Sequence, residues 1–248
     1  MLAGWRERGL AAAVAVDPAL PVSPGPEVTV VAGFGAIPAG FAPDAVVLAV
    51  KPQGAAQAVP PYARFAPGAV FLSIMAGRGI GGLRGLLGGQ AAVVRAMPNT
   101  PAAVRQGITV ACAGPGVTQA QRALCDRLLT AVGSVAWVED EALIDPVTAV
   151  SGGGPAYVFL LAELLEQAAI EQGIPAGLAR LLARQTVAGS GALLAASPDD
   201  AATLRRAVTS PHGTTERALA VLMQDQGWPA LIPRAIAAAT ARSRELAG

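Results

Sequence analysis

Apolar residues run in short unbroken blocks through the first half of the chain. Ala11–Val16 (AAAVAV), Val28–Ala32, Ala45–Val50 (AVVLAV), Ala69–Ile74 (AVFLSI) and Ala91–Ala96 (AAVVRA) read as strands, and Ala45–Val50 has no polar alternation. Continuous apolar strands separated by helix-length segments predict a parallel sheet covered on both faces. Ile108–Ala113 and Ser134–Val138 add two strands around a helix at Thr118–Ala131, and Met1–Gly9 reads as a short helix ended by glycine. Beyond Asp140 the strand signals stop. Helices are predicted at Pro155–Gln172, Ala176–Ala196, Asp199–Val208, Thr214–Gln226 and Pro229–Leu246. The pattern predicts an α/β domain over residues 1–140 and an all-helical domain over 141–248.

The helix at Pro155–Gln172 stands out. Gly152, Gly153 and Gly154 precede Pro155 as a hinge, and proline suits a first helical turn because its missing N–H costs nothing there. Glu163, Glu166, Gln167 and Glu171 form one narrow polar stripe on an otherwise apolar helix. A helix with so thin a wet face must be covered on most sides. The helices beyond it are too few to surround it, so a helix shared between two subunits is expected.

Hydrophobic residues make up 53% of the chain, yet no run reaches the roughly 18 consecutive apolar residues of a spanning helix. The opening MLAGWRERGL is not a signal peptide, because its charges follow the apolar residues. A soluble, cytoplasmic oligomer is expected. The net charge of +1 gives no reason to expect nucleic acid or an anionic membrane as partner. Cys112 and Cys125 lie in no metal-type spacing, and His212 is the one histidine. No metal site is expected. No G-x-S-x-G elbow supports a serine nucleophile.

In open parallel sheets, ligands bind beyond the carboxyl ends of the strands. Those ends carry Asp17, then Lys51–Pro52–Gln53, then Ser73 with Met75–Ala76–Gly77, then Met97–Pro98–Asn99–Thr100–Pro101. Four such ends on one edge point to a cofactor groove, with Lys51 placed to face a phosphate or ribose. In a dinucleotide fold an acid ends the second strand about 20 residues after a Gly-rich loop and bonds the adenosine ribose. Asp17 fits that place and equally fits an ordinary turn before Pro18. The segment DPALPVSPGPE at 17–27 offers no Lys or Arg to a 2′-phosphate. Further on, Ser210–Pro211–His212–Gly213 forms a tight loop opening a helix at Thr214–Thr215. Free N–H groups at a helix start suit a carboxylate. Plain N-capping by threonine is the simpler reading of those two residues alone.

Together these stretches resemble the pyrroline-5-carboxylate reductase family. The resemblance rests on VLAVKPQ at 47–53, SIMAG at 73–77, VVRAMPNTPAAV at 93–104, DPVTAVSGGGPAYVFLLAE at 145–163 and VTSPHGTTERAL at 208–219. It implies a Rossmann-like α/β N-terminal domain followed by an all-α dimerisation domain. It also implies NADPH or NADH as cofactor, 1-pyrroline-5-carboxylate as substrate, and homodimers able to assemble into higher rings. The cofactor contacts it implies fall on Val50, Lys51, Pro52, Ser73 and Ala76, with Asn99 and Thr100 near the nicotinamide. The substrate loop falls on Ser210, Gly213, Thr214 and Thr215, and Thr215 offers its hydroxyl to the substrate ring.

Three departures accompany the resemblance. The first strand and its Gly-rich loop are missing ahead of Met1, Gly153 stands where Ser is common, and His212 stands where the family usually has Gly. A side chain at 212 obstructs the loop if that position needs positive φ. A first strand would lie between Ala11–Val16 and Ala45–Val50, so those two are expected not to pair. Weak dinucleotide binding by the 248-residue chain follows as an expectation. A catalytically impaired oligomeric homologue and a related imine or keto-acid reductase are the alternative readings.

Overall fold

The computed structural model describes residues 1–19 and 22–247. Leu20 and Pro21, within the 17–27 segment, lie outside the described residues. The chain begins with α1 (Leu2–Glu7), β1 (Ala13–Val16), β2 (Val28–Val31), β3 (Ala45–Leu48) and α2 (Ala55–Ala58). It continues through β4 (Val70–Ser73), α3 (Ile80–Leu86), β5 (Ala92–Met97), β6 (Gly107–Ala113), α4 (Gln119–Thr130) and β7 (Gly133–Val138). Helices α5 (Ile144–Val147), α6 (Gly154–Glu171), α7 (Ala176–Ala196), α8 (Ala201–Ala207), α9 (Thr214–Leu222) and α10 (Trp228–Ala247) complete it. Two compact units result. One holds residues 1–152 together with the C-terminal turns from Ala239, and the other holds Gly153–Ala238.

Strands β3 to β7 form one sheet in sequence order. Val70 and Leu72 pack on one face with Cys125 and Leu129 of α4. Phe71 and Val93 pack on the other with Ile80 and Leu83 of α3. Cover on both faces is what unbroken apolar strands require. Burial pushes the Cys125 thiol up to about 12. The sheet is mixed, which corrects the expectation of a purely parallel one: β6 runs antiparallel to β5, while the other neighbours are parallel. The link from Met97 to Gly107 is too short for the crossover of roughly a dozen residues that a parallel pair needs.

Strands β1 and β2 pair in parallel as a separate two-stranded sheet. As expected, β1 and β3 share no ladder. Side chains make the connection instead. Phe34, just after β2, meets the Tyr62 ring edge-on at 4.9 Å, and the Arg64 guanidinium lies over both Phe34 and Phe65. Helix α1 is tied down by Trp5, whose indole N–H donates to the Leu128 carbonyl at 2.7 Å.

In the second unit, α6 ends in a Schellman motif. Gly173 at φ 86° lets its own N–H reach the Ile170 carbonyl and the Ile174 N–H reach that of Ala169. The short link then returns α7 against α6, with Ala179 and Ala183 buried and Arg180 paired to Glu166 at 3.0 Å. Only one side of α6 is covered this way. Phe159 remains 66% exposed, and Leu160 and Leu164 about half exposed. By length and composition alone the stretch Glu141–Glu171 is apolar enough to cross a membrane. A helix buried between subunits meets the same test.

The loop before α9 is a tight turn. The Gly213 N–H donates to the Ser210 carbonyl at 3.0 Å, Pro211 takes the second position, and His212 takes the third with φ 62°. Those are the features of a type II turn, whose third position favours glycine. A non-glycine residue there costs roughly 1–2 kcal/mol, partly offset by the greater unfolded-state freedom of glycine. His212→Gly is therefore expected to stabilise the chain by about 0.5–1 kcal/mol, read as a higher urea midpoint at constant slope. A lowered midpoint would contradict this account of the turn.

Candidate active site

The first unit brings three strand ends side by side. Because β3, β4 and β5 are parallel neighbours, the residues after Leu48, Ser73 and Met97 emerge on one edge. Val50 and Lys51 are exposed there, and Pro52 opens a 3-10 turn. Ser73 is fully buried, and its hydroxyl accepts the Met75 N–H at 3.3 Å, closing the turn that presents Ala76 to solvent. Arg78 reaches across to donate to the Pro52 carbonyl at 3.2 Å, joining the first two ends. Asn99 accepts the Ile108 N–H through its side-chain oxygen at 3.0 Å, and Thr100 stands exposed beside it.

The segment after Thr100 is held by Arg105, which sits in the left-handed region at φ 62°. Its guanidinium grips both carboxylate oxygens of Glu7, at 2.6 and 2.9 Å, and holds that carboxyl below its usual range. Asp17 does not belong to the ladder of the three ends. It finishes β1 in the two-stranded sheet and caps its own turn by accepting the Ala19 N–H at 2.9 Å.

Sequence reasoning missed a buried ionic cluster just below this edge. Arg95 is 3% exposed in the middle of β5. It donates to Glu141 at 3.1 Å and to Asp145 at 3.4 Å. Glu141 also accepts the Ile80 N–H at 2.8 Å, so its charge sits at the start of α3. Asp145 also accepts the Ser243 hydroxyl at 2.8 Å, from the last turns of α10. Removing one member of such a buried pair costs roughly 3–5 kcal/mol, because the remaining charge is stranded. The signal was present in AVVRAM: a lone charge in an apolar strand must find partners. Its partners, 46 and 50 positions further along the chain, had no signal at all.

In the second unit, the N-cap of α9 is Gly213, and no side chain caps the helix. Thr214 and Thr215 are the first two helical residues, both exposed. They do not perform the N-capping that was the simpler reading of the sequence. Glu216 turns back to accept the His212 N–H at 2.8 Å, locking the turn onto the helix. The free amides at this start and the two hydroxyls form a donor cluster suited to a carboxylate.

A surface depression of about 440 Å³ lined by Ala3, Arg6, Glu7, Leu10 and Glu27 contains none of these residues. Among the described residues, no group of three or more His, Cys, Asp or Glu side chains is arranged to hold a metal ion.

Residues 141–246 match the family model for pyrroline-5-carboxylate reductase dimerisation. A pyrroline-5-carboxylate reductase of Pseudomonas aeruginosa is 44% identical over 207 residues, covering 82% of this chain and 75% of that relative. The solved pyrroline-5-carboxylate reductase of Coxiella burnetii superposes with a TM-score of 0.78 at 37% identity, over 83% of this chain and 76% of that one. A Plasmodium falciparum pyrroline carboxylate reductase with NADP bound gives 0.79 at 26% identity, over 92% and 86%. With that identity and coverage, this chain belongs to the pyrroline-5-carboxylate reductase family.

Proposed function

We propose that the chain reduces the cyclic imine 1-pyrroline-5-carboxylate to L-proline with NADPH or NADH, as a cytoplasmic enzyme of proline biosynthesis. The observation that carries this reading is the bare start of α9, with two exposed threonine hydroxyls in a family whose named reaction acts on an imine carboxylate. Residues 1–140 serve as the dinucleotide-binding region and residues 141–248 as the dimerisation and substrate region, consistent with the family match that begins at 141.

The edge of β3, β4 and β5 fits a dinucleotide. It is open, it carries the Lys51 cation, and its turns expose Val50, Ala76 and Thr100 while Pro52, Ser73 and Asn99 hold their shape. Asp17 is the residue for the adenosine ribose. The bound cofactor supplies the hydride. The chain's own residues do the rest. The N–H groups of Thr214 and Thr215, with Ser210 and Gly213 shaping the turn, hold the substrate carboxylate. Thr215 Oγ1 hydrogen-bonds the ring nitrogen and fixes the tilt of the C=N bond. The ring nitrogen takes its proton from water, hydride would then add to the iminium carbon, and the C=N π pair returns to nitrogen as the lone pair of the ring amine. A protonated imine is already electrophilic, so positioning supplies most of the rate, and no strong general base is required.

Three measurements test this. In a protein extended by the first strand and Gly-rich loop, Thr215→Ala is expected to lower kcat/KM by the equivalent of roughly 1–3 kcal/mol, the worth of a buried hydrogen bond. Unchanged kcat and KM would remove Thr215 from the site.

The exposed apolar faces of α6 are expected to meet the same helix of a second copy, burying roughly 2,000 Å² or more in all. Sedimentation at micromolar concentration should give a dimer or a ring of dimers, and a stable monomer would refute the interface.

NADH is expected to serve at least comparably to NADPH. The 17–27 segment has no Lys or Arg, and Arg6, which packs against Gly25, is engaged by Glu27. A hundredfold preference for NADPH in steady-state kinetics would overturn that expectation.

A further inference from the structure

We propose that Arg95 is a positioning residue that sets dinucleotide affinity from beneath the site, by clamping the turn at 73–78 through α3 and the C-terminal turns of α10. The inference rests on the reading of the β3–β5 edge as the dinucleotide site.

The turn at 73–78 carries Ser73 and Ala76 and is held at several points. Its far end runs into α3, whose first amide, Ile80 N–H, is bound by Glu141 at 2.8 Å. The same carboxylate oxygen accepts from Arg95 at 3.1 Å. Its middle lies against the end of α10. Gly77 is buried at φ 65°, and a Cβ built there would stand 3.0 Å from the Leu246 Cβ and 3.1 Å from the Leu246 carbonyl oxygen. One helical turn earlier, Ser243 is 6% exposed and donates to Asp145, the second carboxylate on Arg95. One guanidinium therefore governs both supports of the turn. The Glu141 arm fixes where the turn ends, and the Asp145–Ser243 arm fixes the helix that roofs it.

This arrangement explains why a charge is retained in an otherwise apolar strand. Arg95 touches neither cofactor nor substrate in this scheme. A planar fork can hold two carboxylates at once, which a lysine ammonium on a single stem cannot do with the same geometry. Loosening either arm frees the turn at 73–78 to open locally while the sheet, held by its own ladder and core, stays folded.

The test uses the full chain and the variants Ser243→Ala, Ser243→Thr and Arg95→Lys. Ser243→Ala removes the donor to Asp145, Ser243→Thr keeps it, and Arg95→Lys keeps the charge but loses the fork. Hydrogen–deuterium exchange over residues 74–79 should quicken by about tenfold in Ser243→Ala and Arg95→Lys, the size expected for losing a bond to a charged group. Ser243→Thr should match the parent. NADPH titrated by fluorescence should bind roughly tenfold more weakly to the first two variants, with Ser243→Thr again unchanged and the KM for the imine unmoved. Unaltered exchange at 74–79 would overturn the clamp. Quickened exchange with unaltered NADPH affinity would overturn its role in affinity. NADPH binding by the parent chain too weak to titrate would agree with the missing first strand, and the exchange measurement then upholds or overturns the clamp by itself.

Discussion

A guanidinium placed in the middle of an apolar, two-sided sheet cannot be left unpaired, because a stranded buried charge costs several kcal/mol. Arg95 creates that demand, and the answer comes from Glu141, Asp145 and, through Asp145, Ser243. The last turns of α10 thus belong to the same compact unit as the sheet. The start of α3 is bonded to the same cluster through the Ile80 N–H. An electrostatic obligation in one strand joins segments that lie between Ile80 and Ser243 in the chain.

The sheet itself reflects chain length between strands. Long links allow β3, β4 and β5 to run parallel, which brings their carboxyl ends to one edge. The short link after β5 turns the chain back, so β6 is antiparallel, and the tight segment at 98–106 becomes part of the edge. Asn99 and Arg105 hold that segment by side-chain bonds to Ile108 and Glu7. Strands β1 and β2 stand outside this ladder, joined by aromatic packing around Phe34.

The second unit obeys a different constraint. Its helices are more apolar than one copy of the chain can cover, and α6 leaves Phe159, Leu160 and Leu164 in the open. Exposed apolar surface on that scale marks an association face. The match of residues 141–246 to a dimerisation family gives the same reading from an independent direction. The turn before α9 is held with little side-chain chemistry. A hydrogen bond across Ser210–Gly213, a left-handed residue at 212 and a Glu216 carboxylate bonded back to the turn leave the helix start without a side-chain cap.

Period and composition make most of the elements legible in the sequence alone. The unbroken apolar runs became β3, β4 and β5, the Gly–Pro hinge became the start of α6, and the strand-end residues Lys51, Ser73, Ala76 and Asn99 do gather on one edge. These are properties of local propensity and of a fixed rule about strand ends, so one dimension suffices to read them. The direction of β6, the partners of Arg95 and the cap of α9 were decided only in three dimensions. A strand's direction depends on whether its connection can reach. A buried charge selects its partners by where distant segments pack. The capping of a helix depends on one residue of register, which placed Gly213 at the cap and left Thr214 and Thr215 free.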